Sequence, residues 1–63
     1  MSDEREVLVV ASKVKNYIRR QAEMNTSANV MDALSDKIRQ MCDQAIANAR
    51  KDGRKTVKDR DFL

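Results

Sequence analysis

The chain has 63 residues, a net charge of +3 at pH 7, one cysteine and no histidine. A chain this short buries too little apolar surface to be comfortably stable without disulfides, a structural metal or a partner. Cys42 has no second cysteine to pair with, and a single thiolate without histidine cannot complete a zinc site. We therefore expect one domain, residues 1–63, that gains stability by oligomerisation and uses no metal or cofactor.

The first predicted helix covers about residues 7–22 and follows a short lead of residues 1–6. Apolar residues recur along it at the spacing of one helical face: Val10, Val14, Tyr17, Ile18 and Ala22. Val9 falls off that face, so an extended conformation for residues 7–10 remains open. Basic residues border the face on both sides and predict a cationic outer surface: Lys13, Lys15, Arg19 and Arg20.

The first loop is predicted at residues 23–27. Asn25, Thr26 and Ser27 are residue types that interrupt one helix and cap the next. Thr26 or Ser27 is therefore the predicted N-cap of the second helix.

The second predicted helix covers residues 28–52, about 38 Å at 1.5 Å per residue, and Gly53 is expected to end it in the left-handed conformation. Its apolar residues occupy an arc of about 160°, wider than the roughly 100° stripe of a surface helix: Val30, Met31, Leu34, Ile38, Met41, Cys42, Ala45, Ile46 and Ala49. Such a helix needs cover from a second copy of the chain. The predicted dimer core draws on all three helices: Val14, Ile18, Val30, Leu34, Ile38, Met41, Ala45 and Phe62.

The second loop is predicted at residues 53–57, before a very short third helix at residues 58–63. Thr56 and Asp59 have the Thr-x-x-Asp spacing of a capping box, so Thr56 is the predicted N-cap. Phe62 is the expected apolar anchor of this helix.

Basic charge is concentrated in two parts of the chain. Residues 7–24 sum to +3 and residues 53–63 to +2, whereas residues 25–52 sum to 0. Dimerisation would double each basic part, which favours a polyanionic partner. A basic amphipathic helix also suits a membrane surface, but Tyr17 is the only aromatic residue available to anchor this one. We expect no membrane partner.

The order of a short, a long and a very short helix resembles the histone fold. The second loop is similar to that of archaeal histones, whose Arg-x-Thr-x-x-x-x-Asp spacing it keeps through Arg54, Thr56 and Asp61. Residues 6–15 and 24–27 look closer still to bacterial histones. The resemblance covers essentially the whole chain from residue 6 onwards.

The resemblance implies an all-α handshake homodimer, in which two chains pair head to tail around crossed central helices. The first loop of each chain would lie beside the second loop of the other, and Arg54 and Asp61 would form a structural salt bridge. The first helix and both loops would contact DNA phosphates through Lys13, Lys15, Arg19, Arg20, Asn25, Thr26, Ser27, Arg54, Lys55, Thr56 and Lys58.

The function implied is binding and compaction of double-stranded DNA without sequence specificity, by a cytoplasmic, nucleoid-associated protein. No side chains could act together as nucleophile, base and orienting group, so we expect neither catalysis nor a small-molecule substrate. The neutral central helix supports an alternative, a histone-fold protein–protein interaction module with little DNA binding. The very short third helix favours a dimer, or at most a tetramer.

Overall fold

A computed structural model describes residues 6–63, and this part of the chain is all-helical, with no strand. Helix α1 spans Ala11–Ala22, helix α2 spans Val30–Lys51, and a 3-10 helix follows at Asp59–Phe62. The all-α fold class predicted from the sequence is confirmed. Residues 1–5 of the predicted lead lie outside the described residues.

The predicted start of the first helix, near residue 7, is wrong. Residues 7–10 are not helical, and Val10 has the extended backbone of an N-cap position (φ −88°, ψ 108°). Three valines stand among these four residues, and side chains branched at Cβ favour extended backbone. The extended alternative for this segment is therefore the correct one.

Helix α2 holds the extended segment in place through hydrogen bonds. The backbone N–H of Leu8 donates to Ser35 Oγ at 2.9 Å, and the buried Ser35 hydroxyl donates to the carbonyl of Met31 at 2.7 Å. The Arg39 guanidinium donates to the carbonyl oxygen of Glu6. Through these contacts, backbone polar groups of the segment find hydrogen-bond partners in α2. In an additional helical turn they would have found those partners within α1.

The N-cap predicted for the second helix is also wrong. The helix begins at Val30, with Asn29 at the N-cap position and no side-chain capping bond. Ser27 contributes its backbone carbonyl, which accepts from the N–H of Val30 at 3.2 Å. A turn at residues 28 and 29 thus replaces the side-chain cap, and the loop between α1 and α2 is longer than predicted.

The end of α2 follows the prediction for Gly53. This residue has φ +70°, the left-handed conformation that glycine adopts without steric cost. Its N–H donates to the carbonyl of Arg50 at 2.9 Å, and the N–H of Arg54 donates to the carbonyl of Ala49 at 3.0 Å. This pair of bonds is a Schellman motif, and it turns the chain sharply into the second loop.

The capping box predicted at Thr56 and Asp59 does not form. Lys58 occupies the N-cap position of the 3-10 helix, and its backbone N–H donates to Asp61 Oδ2 at 2.7 Å. The carbonyl of Thr56 instead accepts a bond of 2.8 Å from Arg54 Nη1. Lys58 therefore precedes the turn in an extended conformation (φ −116°, ψ 165°), and the third element is a single 3-10 turn rather than an α-helix.

The described part of the chain is flat. Its extents are 44 × 29 × 13 Å, and the smallest is little more than the 10–12 Å diameter of one helix with its side chains. The radius of gyration is 14.6 Å, against about 10 Å for a compact chain of this length. The described part of the chain is thus less compact than a globular domain of this length, and it leaves apolar side chains such as Met41 and Ile46 exposed.

Cover for α2 from the rest of the chain is concentrated at its two ends. Its buried residues lie near the start (Met31, Ser35) and near the end (Ala45, Ala49). In the middle, Ile38 and Cys42 are half-buried and Met41 is 52% exposed. Helix α1 contains no buried residue. Of the predicted dimer core, Ala45 is buried within the chain, Met41 and Phe62 are exposed, and the others are half-buried.

Candidate nucleic-acid interface

The second loop is built around Arg54, which forms a bidentate ion pair with Asp61. Arg54 Nη2 lies 2.8 Å from Asp61 Oδ1 and Nη1 lies 3.1 Å from Oδ2. The Asp61 side chain is only 4% exposed and that of Arg54 is 18% exposed. Arg54 Nη2 also lies 3.1 Å from Asp52 Oδ2. The guanidinium that was predicted to contact DNA is therefore largely committed to holding the loop.

Both partners of this ion pair are stabilised in their charged forms. Hydrogen bonding from Arg54, then from the backbone N–H of Lys58, lowers the pKa of Asp61 to about 2 against the opposing effect of burial. Hydrogen bonding to Asp61 likewise raises the pKa of Arg54. Asn48 fastens the same turn to α2, because its amide donates to the carbonyl of Asp61 at 2.9 Å.

The remaining predicted contacts of the second loop are available to a ligand. Lys55, Thr56 and Lys58 are exposed. No carboxylate within residues 6–63 lies at ion-pair distance from either lysine ammonium. Lys55 and Arg50 line an open depression of about 540 Å³ whose other walls include Ile46 and Val57. This end of α2 thus presents unpaired cations beside apolar surface.

The other cations predicted to contact DNA lie on α1, and two of them adjoin the first loop. Lys13, Lys15, Arg19 and Arg20 are all exposed. Arg19 Nη2 donates to Asn25 Oδ1 at 3.1 Å, so the helix and the loop are joined by a side-chain hydrogen bond. A second, smaller depression of about 250 Å³ lies between them. Lys13 and Arg20 do not line it.

The two other polar residues of the first loop differ in exposure. Ser27 is exposed, whereas the Thr26 hydroxyl oxygen is buried and has no hydrogen-bond partner among the described residues. A buried hydroxyl without a partner destabilises a fold by about 1–3 kcal/mol. Thr26 is therefore an unsatisfied polar group among the described residues.

A single chain does not bring the two basic regions together. The first loop precedes α2 and the second loop follows it, and α2 has 22 residues. At 1.5 Å per residue the helix separates the loops by about 33 Å. Each chain therefore carries one basic region at each end of its longest helix.

Sequence reasoning did not find the contacts of Ser35, Arg39 and Asn48. One signal was present for Ser35, because it is a polar residue within the otherwise apolar arc of α2. No comparable pattern pointed to Arg39, whose partner Glu6 is 33 residues away, or to Asn48, whose partner is a backbone carbonyl. Contacts of this kind depend on how the chain folds back, which local spacing does not encode.

Within residues 6–63 the chain offers neither a metal-binding cluster nor a membrane-spanning helix. No group of three or more acidic or cysteine side chains is placed to hold a metal ion. No helix in this range is long and apolar enough to cross a membrane. Neither the comparison with protein-family models nor the search of curated proteins finds a match to the chain.

Proposed function

We propose that two copies of this chain form a histone-type handshake dimer that binds the phosphates of double-stranded DNA without reading its sequence. The observation that carries the proposal is the arrangement around α2. The apolar middle of this helix is incompletely covered by its own chain, and the segments at its two ends, α1 with the first loop and the second loop, carry exposed cations. In this proposal the protein is a small histone of the bacterial type, associated with the nucleoid in the cytoplasm, where it compacts DNA.

The uncovered apolar surface supports dimerisation. The midpoint of Val30–Lys51 falls between Gln40 and Met41, and the poorly covered residues Ile38, Met41 and Cys42 surround it. A second α2 that crossed there would bury apolar surface where the first chain leaves it open. The ends of each helix, already covered by their own chain, would stay outside the crossing.

A head-to-tail crossing would also join the two basic regions. Each end of one α2 would lie near the opposite end of the other, so the first loop of one chain would adjoin the second loop of its partner. Lys15 and Arg19 would then lie near Lys55 and Lys58 of the second copy. Two equivalent cationic surfaces would result, about 33 Å apart by the length of α2.

Such surfaces suit phosphates rather than base edges. The long helix is committed to packing, so it cannot lie in the major groove as a recognition helix. Exposed lysine and arginine side chains neutralise phosphates and release counterions, which makes affinity strongly dependent on salt. We expect tight binding to random-sequence duplexes that weakens roughly a thousandfold between 50 and 200 mM salt if about six phosphates are neutralised.

The test is a titration of random-sequence duplex DNA at several salt concentrations, with the solution mass of the protein measured alongside. The variant Lys55→Ala/Lys58→Ala should bind far more weakly and remain a folded dimer, because neither ammonium has an ion-pair partner among residues 6–63. Lys37→Ala is the matched control, since it removes an exposed lysine from the middle of α2. Salt-insensitive binding would contradict the proposal.

The uncovered face of α2 also fits the alternative, in which the chain pairs with a different protein and hardly touches DNA. The same titration separates the two. A folded protein that ignores DNA, and in which Lys55→Ala/Lys58→Ala changes nothing, would favour the interaction module.

A further inference from the structure

Hydrogen bonds within residues 54–61 close this segment on itself. The Arg54 guanidinium donates to both oxygens of the Asp61 carboxylate, at 2.8 and 3.1 Å. The same carboxylate accepts from the backbone N–H of Lys58 at 2.7 Å. These bonds fix the path of the chain within the closed loop, as we call residues 54–61. They include no atom of α2, so they do not determine how the closed loop lies against that helix.

The closed loop is attached to α2 at each of its ends. At the first end, the backbone N–H of Arg54 donates to the carbonyl of Ala49 at 3.0 Å. This attachment directly follows Gly53, which has φ +70° and carries no side chain to restrict its backbone. At the other end, the Asn48 amide donates to the backbone carbonyl of Asp61 at 2.9 Å. The bond from Asn48 therefore sets the orientation of a loop that could otherwise turn about residue 53.

The other contacts that hold the 3-10 turn near α2 are more exposed to water. Within residues 6–63, Arg60 Nη2 lies 3.7 Å from Oδ2 of Asp52, the C-cap residue of α2, and both side chains are more than half exposed. Exposed ion pairs contribute little to stability because water and salt screen them. Phe62 is 48% exposed, so the apolar packing of the turn is incomplete. Asn48, by contrast, is half-buried.

Helix formation does not account for an asparagine at position 48. Asn48 lies within α2, where asparagine is less favourable than alanine. Its Oδ1 accepts from Gln44 Nε2 at 3.3 Å, and this bond orients the amide with its N–H donors towards Asp61. The residue is outside both loops and outside the residues predicted to contact DNA. What distinguishes it is the bond to the 3-10 turn.

We infer that Asn48 is a positioning residue for DNA binding, because it orients the second loop so that Lys58 meets a phosphate. The inference rests on the proposed function, in which Lys58 contacts DNA. Asn48 touches no phosphate itself. Its amide holds the carbonyl of Asp61, and the Asp61 carboxylate holds the backbone of Lys58. A lysine held in place before binding loses less conformational entropy when it meets the phosphate.

A double-mutant cycle on DNA affinity, at one salt concentration, tests the inference. Asn48→Ala should weaken binding to a random-sequence duplex about tenfold although it changes no charge, the loss expected for one hydrogen bond. Alanine favours a helix more than asparagine does, so this variant should fold. In the Lys58→Ala background, Asn48→Ala should change the affinity little, because the side chain that Asn48 positions is gone. Asn16→Ala, the same substitution at an exposed position of α1, should bind as the unaltered protein does.

NMR relaxation of the backbone amides, measured without DNA, tests the orientation of the loop by itself. Asn48→Ala should increase the mobility of residues 55–61 relative to α2, and Asn16→Ala should not. Unchanged mobility, or a tenfold loss of affinity that persists in the Lys58→Ala background, would refute the inference while salt-dependent DNA binding still stands. If mobility rises but the unaltered protein ignores DNA, the attachment by Asn48 stands and the proposed function fails.

Discussion

The substitution Met41→Ala tests whether the middle of α2 is the dimer interface. Met41 is 52% exposed in the single chain and lies beside the midpoint of the helix. Burying a whole methionine side chain contributes about 1.5–3 kcal/mol, so burying the exposed half contributes about 1 kcal/mol per copy. Because each dimer contains two copies, the substitution should weaken dimerisation by about 2 kcal/mol, or roughly 30-fold in Kd.

Sedimentation equilibrium of the two proteins would measure this difference. Gln40→Ala is the control, because Gln40 is the exposed neighbour of Met41 and lies outside the apolar arc. It should leave the dimer Kd unchanged. Thermal unfolding should also depend on protein concentration for the unaltered chain, as it does for any obligate dimer. An unchanged Kd for Met41→Ala, or a Tm independent of concentration, would refute crossing at this point.

Two further predictions concern the turn after α2 and the second loop. Gly53→Ala should destabilise the fold by about 1 kcal/mol. A Cβ at position 53 would meet no atom within 4 Å, so no steric clash is expected. The loss comes from holding alanine in the left-handed conformation, which costs about 1–2 kcal/mol, and it is partly offset because alanine makes the unfolded chain stiffer. Urea unfolding would measure it, and a much larger loss would indicate a steric clash. The pKa of Asp61, about 2 in the folded chain against an ordinary 3.8, predicts a contribution to stability that is complete above about pH 4 and is lost as the pH falls towards 2. Asp61→Asn should therefore be less stable at pH 7 and show a shallower decline in acid, and equal slopes for the two proteins would contradict that.

The end of α2 was predicted correctly because it depends on the residue type at one position. Gly53 is the only glycine of the chain, and it follows a long apolar period, so the end of α2 could be placed at once. Local chemistry was sufficient there, without any knowledge of distant contacts. The ion pair of Arg54 with Asp61 was implied by the resemblance to histones, and it forms in the structure.

The parts that were predicted wrongly depend on contacts far apart in the sequence. Residues 7–10 continue an apolar pattern into α1, but the N–H of Leu8 bonds to Ser35, 27 residues away. The predicted capping box of Thr56 and Asp59 does not form for a related reason. The Arg54 side chain donates a hydrogen bond to the carbonyl of Thr56, and Asp61 caps the turn by accepting from the N–H of Lys58. In the candidate site, the side-chain bond from Arg19 to Asn25 joins two groups that were predicted separately.

Dimerisation and DNA binding should be coupled through α2. Within one chain this helix separates the two basic regions, whereas in the proposed dimer each basic region would lie beside the other basic region of the partner chain. In one chain the cations at Lys15 and Arg19 and the cations at Lys55 and Lys58 lie at opposite ends of α2, about 33 Å apart. A lone chain could present only one of the two sets of cations to a given stretch of DNA. It would therefore neutralise about half as many phosphates as the dimer, and the slope of log K against log salt would be about half as steep. Loss of the crossing at Met41 should therefore reduce the salt dependence of DNA binding, although Met41 is itself uncharged.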